Sequence, residues 1–228
     1  MAKSGKKRAE TFRLKRLCNI EQEVREQGFE SIAGIDEAGR GPLAGPIVAA
    51  ACILPDGYVL RGIDDSKKLT PELRYKLYQD LILHPDIDFG VGVVEAAEID
   101  KLNIHNATLE AMLRAIRRLS IVPHFLLVDG CHTPECDIPS ASVVDGDQKA
   151  QVIAAASVIA KVTRDHIMLG YDALYPAYGF KDHKGYGTLK HKEAIKKHGP
   201  LPIHRMSFGL LKGEENDQKH DSLRARDK

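Results

Sequence analysis

From Lys149 to about Leu169 the chain reads as a helix that is apolar nearly all round. A surface helix keeps one polar face, so a helix without one must be covered on most sides. Its Ala154-Ala155-Ala156 run would let it sit close to a sheet. Strands for that sheet are also present. Ser31 to Asp36, Ile47 to Leu54 and Phe89 to Glu95 are strand-like, the last two rich in Val, Ile and Ala and bounded by Gly or Pro. Phe125 to Val128 is short and wholly apolar, as in a strand buried on both faces, and Ala141 to Val144 reads as another strand.

Helices fill the intervals. Arg8 to Gln27 is loosely periodic in Phe12, Leu14, Leu17 and Ile20, and Gly28 closes it. Thr70-Pro71-Glu72 is an N-cap followed by proline at the first helical position, opening a helix to about His84. Asn106 to Leu119 sets Leu109, Met112, Leu113 and Ile116 on one stripe, with Arg114, Arg117 and Arg118 off it. Three strands able to form a meander, then helices alternating with two more strands, describe an α/β architecture with a mixed sheet.

The formal net charge of +1 conceals an asymmetry. Residues 1–16 carry +6 and residues 181–205 carry +5, leaving −10 on the rest. Such a distribution suits a protein that holds cations at one place and polyanions at another. No apolar stretch approaches the roughly 20 residues of a transmembrane helix. The basic start, MAKSGKKRAE, is not followed by the apolar core of a signal peptide, so a cytoplasmic protein without a membrane partner is expected. Cys18, Cys52, Cys131 and Cys136 lack zinc-site spacing and read as reduced thiols, Cys52 as core.

Few folding needs explain Gly34-Ile35-Asp36-Glu37-Ala38-Gly39-Arg40-Gly41-Pro42. Adjacent acids at a strand end, followed by a Gly-Arg-Gly turn, put two carboxylates beside backbone amides that can contact a phosphate or sugar hydroxyl. Asp129 ends a second buried strand, and Asp147 follows in Asp145-Gly146-Asp147. Clustered carboxylates repel, so a group of this kind is stable mainly when it binds cations. Oxygen ligands without His or Cys favour Mg²⁺ or Mn²⁺ over zinc. Two such ions can activate a water and stabilise the leaving oxygen in phosphodiester cleavage.

These segments resemble the ribonuclease HII family. The match includes Gly34 to Pro46 (GIDEAGRGPLAGP), Asp65-Ser66-Lys67-Lys68-Leu69, Val128-Asp129-Gly130, Ala154 to Asp165 (AAASVIAKVTRD), and His183 to Thr188 with His191. It runs in the family's order over roughly residues 31 to 208. The resemblance implies a ribonuclease H-like fold, a five-stranded mixed sheet flanked by helices with a helical C-terminal extension. The implied division is a basic extension and helix over 1–30, a catalytic domain over 31–212 and a charged tail over 213–228.

The resemblance also implies hydrolysis of the RNA strand of RNA/DNA hybrids and incision at ribonucleotides embedded in duplex DNA. It makes Asp36, Glu37, Asp129 and Asp147 the metal ligands and catalytic acids of a two-ion Mn²⁺ or Mg²⁺ site. Gly39, Arg40 and Gly41 match the turn that reads the ribose 2′-hydroxyl, and Tyr186 the tyrosine at the RNA-to-DNA junction. Ser66 and Lys67 match substrate-binding positions suited to phosphate. About 30 residues precede the first motif, fewer than the extra N-terminal domain of ribonuclease HIII would need. A non-cutting nucleic-acid binder of the same fold would gain nothing from four acids facing phosphates. A junction-resolving nuclease would have no 2′-hydroxyl for the Gly-Arg-Gly turn to read. A monomer is expected, and no apolar-aromatic sliding-clamp peptide follows Gly213.

Ser157, Lys161 and Asp165, spaced by four, form one polar stripe on the apolar helix. Lys161 and Arg164 face either the acids or a phosphate, or form a salt bridge with Asp165.

Overall fold

Val-, Ile- and Ala-rich strands with few charges favour burial on both sides, and the sheet is built from them. β1 (Ile32–Ala38), β2 (Ile47–Ile53) and β3 (Asp88–Val94) pair antiparallel as a meander. β4 (Phe125–Asp129) and β5 (Ser140–Val143) add in parallel on the other side of β1. The order across the five strands is β3-β2-β1-β4-β5. The computed structural model describes residues 12–63 and 69–209 of the chain.

Residues 12–17 are helical, then the chain turns at Cys18 and resumes as α1 (Asn19–Glu26), so the helix expected as one piece is broken. α2 (Pro71–Ile82) begins at Thr70, whose hydroxyl accepts the Leu73 amide at 3.3 Å, as the capping letters require. A short helix, α3 (Ala96–Leu102), precedes α4 (Ile104–Ile116). Asn103 separates them at φ 66°, its side chain accepting the Asn106 amide at 3.1 Å. α5 (Gln151–Leu174) is the long buried helix, and α6 (Phe180–His183) and α7 (Leu189–His198) follow it.

Two apolar layers sandwich the sheet. One joins Val152, Ile153 and Ile159 of α5 to Leu77 and Leu81 of α2 and to Leu14, Leu17 and Val24 near the start. The other joins Ala111, Met112 and Ala115 of α4 to Ile35, Ala49 and Val128. The alanine run of α5 is wholly buried, and the helix lies directly on β1. A Cβ at Gly34 would stand 2.1 Å from the Val152 backbone carbon, so that contact needs glycine.

Candidate active site

Parallel pairing brings the acidic strand ends together. Ile35 lies opposite Val128, so Asp36 and Asp129 come next along neighbouring central strands, toward their C-terminal ends. Asp36 is only 8% exposed, and its Oδ1 accepts the Glu37 amide at 2.7 Å. Asp129 Oδ1 accepts the Gly146 amide at 2.7 Å, tethering a single 3₁₀ turn (Gly146–Gln148) that carries the buried Asp147. Asp145, at φ 54°, enters that turn in the left-handed region. Glu37 is half-buried, with an oxygen 3.8 Å from the Arg40 guanidinium.

The electrostatics follow from this placement. Burial, then the charges of Glu37, Asp129 and, last, Asp147 hold the Asp36 carboxyl well above the usual carboxylate range, and the Glu37 amide works the other way. All four acids therefore act on one small volume. Among the described residues no three acid, His or Cys side chains already stand in a metal-holding arrangement. The carboxylates share a field rather than a finished coordination sphere.

A cleft of about 300 Å³ runs from Asp36 and Glu37 past Gly39, Arg40 and Gly41 to Tyr186. Ser157, Lys161 and Arg164 line it from α5. Gly39 has φ +99°, a conformation that few other residues tolerate. Tyr186 is 45% exposed, and a Cβ at Gly41 would lie 3.7 Å from its ring. The tyrosine thus borders the cleft instead of anchoring the core. Ser66 and Lys67 lie outside the described residues.

The polar stripe of α5 resolves into separate roles. Lys161 Nζ meets Asp165 Oδ1 at 2.8 Å, and the Ser157 hydroxyl donates to the Ala154 carbonyl. Arg164 instead turns inward, donating to the carbonyls of Pro46, Lys184 and Ala44. Arg205, counted above in the +5 of residues 181–205, is fully buried and donates to the carbonyls of Gly39, Arg40 and Gly45. Main-chain acceptors leave no mark in a sequence, so this pair could not be found by pattern.

Histidines 191 and 204 are also interior. Their Nε2 atoms lie 3.1 Å apart, and the His191 ring stacks on His183 with centroids at 4.5 Å. Burial lowers the pKa of both, that of His204 to about 4, so the pair is uncharged at neutral pH. They join Tyr178, Phe180 and Ile195 in packing the C-terminal helices against Ala44 and Met168.

The profile of the ribonuclease HII family matches residues 33–211. The chain belongs to that family. Ribonuclease HII of Chlamydia pneumoniae is 51% identical over 204 residues, covering 90% of this chain and 95% of that protein. Among solved structures, ribonuclease H2 from Pyrococcus horikoshii OT3 superposes with a TM-score of 0.68 at 29% identity, over 82% of this chain and 98% of its own. The PCNA:RNase HII complex from Archaeoglobus fulgidus gives 0.66 at 26% identity, over 78% of this chain and 95% of that one. The fold is therefore ribonuclease H-like. As a ribonuclease HII, the chain is an endonuclease that cleaves the RNA of RNA/DNA hybrids. Among the described residues no helix is long and apolar enough to cross a membrane.

Proposed function

We propose that this ribonuclease HII also incises 5′ of ribonucleotides embedded in duplex DNA, leaving 3′-hydroxyl and 5′-phosphate ends. That activity serves ribonucleotide excision and removal of RNA primers. The observation that carries the reading is Asp36, buried among three further acids whose charges oppose its ionisation. Removing water from a carboxylate is costly unless a cation takes its place. The donors are all oxygens, which fits two hard ions, Mg²⁺ or Mn²⁺, held by Asp36, Glu37, Asp129 and Asp147. When bound, the ions supply an activated water and a stabilised leaving oxygen.

The chain's own residues do the selecting. Backbone groups of Gly39, Arg40 and Gly41 read the 2′-hydroxyl, because a site that discriminates by one oxygen must hydrogen-bond it. Tyr186 packs its exposed ring against the sugar that lacks this hydroxyl. Ser66 and Lys67 contact phosphate. The enzyme works as a monomer, and the PCNA-bound Archaeoglobus relative makes a sliding clamp the protein partner to try first.

A cleavage assay with and without chelator, on duplexes carrying zero, one or four ribonucleotides, tests this reading. Cutting should require the ion and at least one ribonucleotide. Asp129→Asn should lower the rate by roughly 10³-fold or more with the fold retained, the scale of losing one preorganised charged group. Full turnover in excess chelator would overturn the metal assignment. Tyr186→Ala should slow cutting at a single embedded ribonucleotide by about tenfold, within the range of one stacking contact, and slow a continuous hybrid less. Wild-type rates on both substrates would remove Tyr186 from junction recognition.

A further inference from the structure

Arg164 and Arg205 are 1% and 0% exposed, and among the described residues neither guanidinium has a carboxylate within salt-bridge distance. Main-chain carbonyls take that place. Arg164 donates from Nε to Pro46 at 3.0 Å, from Nη1 to Lys184 at 3.0 Å and from Nη2 to Ala44 at 3.2 Å. Arg205 donates from Nε to Gly45 at 3.0 Å and from Nη1 to Arg40 at 3.0 Å. Its Nη2 is shared between Gly39 at 2.6 Å and Gly45 at 2.8 Å. Burial opposes both charges and brings Arg205 down to about 9, so both remain cations at neutral pH.

Five carbonyls of residues 39–46 are thus turned toward two rigid forks. The described peptide bonds are all trans, and in a trans peptide the N–H points opposite to its carbonyl. With the Gly39 and Arg40 carbonyls facing Arg205, the amides of Arg40 and Gly41 face away from it, in residues that line the cleft. Arg164 ties this segment to the other side of the cleft. It holds the Lys184 carbonyl, two residues before Tyr186, and its guanidinium lies 5.9 Å from the Tyr186 ring centroid. The fit is close: a Cβ at Gly39 would come within 2.1 Å of Arg164 Nε.

We infer that Arg164 and Arg205 are positioning residues for ribose recognition, fixing the Gly39–Pro46 carbonyls so that the Arg40 and Gly41 amides are held toward the 2′-hydroxyl at a set distance from Tyr186. This rests on the reading that the Gly-Arg-Gly turn contacts the ribose. Lysine would keep the charge but lose the planar fork, so Arg→Lys separates geometry from electrostatics.

Two constants measured in Mg²⁺ test it: the single-turnover half-saturation concentration of a one-ribonucleotide duplex, and the inhibition constant of the all-DNA duplex of the same sequence. Arg205→Lys and Arg164→Lys should each raise the first about tenfold, the net worth of one weakened hydrogen bond, and leave the second nearly unchanged. A merely structural role would shift both constants together. In Asp129→Asn protein, slowed enough to hold uncut duplex, the Arg40 and Gly41 amide resonances should respond to the one-ribonucleotide duplex and not to DNA. If those amides ignore the ribose, the recognition reading itself fails. If they respond while both lysine variants keep the wild-type ratio of constants, only the positioning inference falls. Should Arg205→Lys not fold, Arg164→Lys decides by the same ratio.

Discussion

At the ends of β1 and β4, Asp36 and Asp129 each turn an oxygen to a backbone amide, whereas Arg164 and Arg205 donate three and four hydrogen bonds to carbonyls. Both regions gather like charge away from water, and in both burial is the largest influence against ionisation. The cationic pair is supplied with counter-dipoles by the fold itself. The acidic group receives one backbone amide each at Asp36 and Asp129, and the repulsion at Asp36 persists beside them. On the proposed reading, one cluster is completed by folding and the other by binding a cation.

That contrast makes opposite predictions for removing a charge. Arg205→Met should destabilise by about 3–5 kcal/mol, because buried carbonyls of Gly39, Arg40 and Gly45 lose their donors. Thermal unfolding should fall by roughly 10 °C for a chain of this size. An unchanged melting temperature would show that the carbonyls find other partners and that the two clusters do not differ.

A buried acid away from this cluster sharpens the comparison. Glu21 Oε1 accepts the Val152 amide at 2.9 Å, at the start of α5, where no local side chain caps the helix. Burial outweighs that bond, a second backbone bond at Gln151 and the charge of Arg25, raising the Glu21 pKa to about 7. A raised acid binds more protons folded than unfolded between its ordinary value and 7, so stability falls as pH rises through that window. Glu21→Gln should remove this slope and stabilise the protein at pH 8 by at most about 3 kcal/mol, readable as melting temperature against pH. A wild-type slope in the variant would place the proton uptake elsewhere.

The smallest effect is expected at Asp36. Without added metal, Asp36→Asn should raise the melting temperature by a few degrees, since a neutral amide suffers less from burial and from Glu37, Asp129 and Asp147. Saturating Mg²⁺ should stabilise the wild type more than the variant. A variant less stable than wild type in chelator would mean that the Glu37 amide outweighs the repulsion.

Much of this site was legible because strand-end carboxylates leave a plain pattern: Asp36 and Asp129 each close an apolar run. Asp147 was harder, since one 3₁₀ turn entered through a left-handed Asp145 has no periodicity; the residues placed it with the other acids, and the resemblance made it a metal ligand. α3 escaped for a related reason, being seven residues long and divided from α4 by Asn103 at positive φ. The five strands were placed to within one or two residues because each is an apolar run between Gly, Pro or acids. Arg164 and Arg205 could not be read, because a buried arginine satisfied by carbonyls has the same letter as a surface one.

The absent side chain at Gly34 has a consequence for how errors propagate. β1 and α5 meet there main chain to main chain, without an intervening rotamer to absorb a misfit. The Asp36 end of the strand and the Ser157-Lys161 face of the helix are therefore gauged against each other by a direct van der Waals contact between backbones. A single methyl at position 34 would act as a wedge near the pivot of a lever, moving one wall of the cleft against the other several ångströms along. Tolerance in the cleft is set at a residue outside its lining.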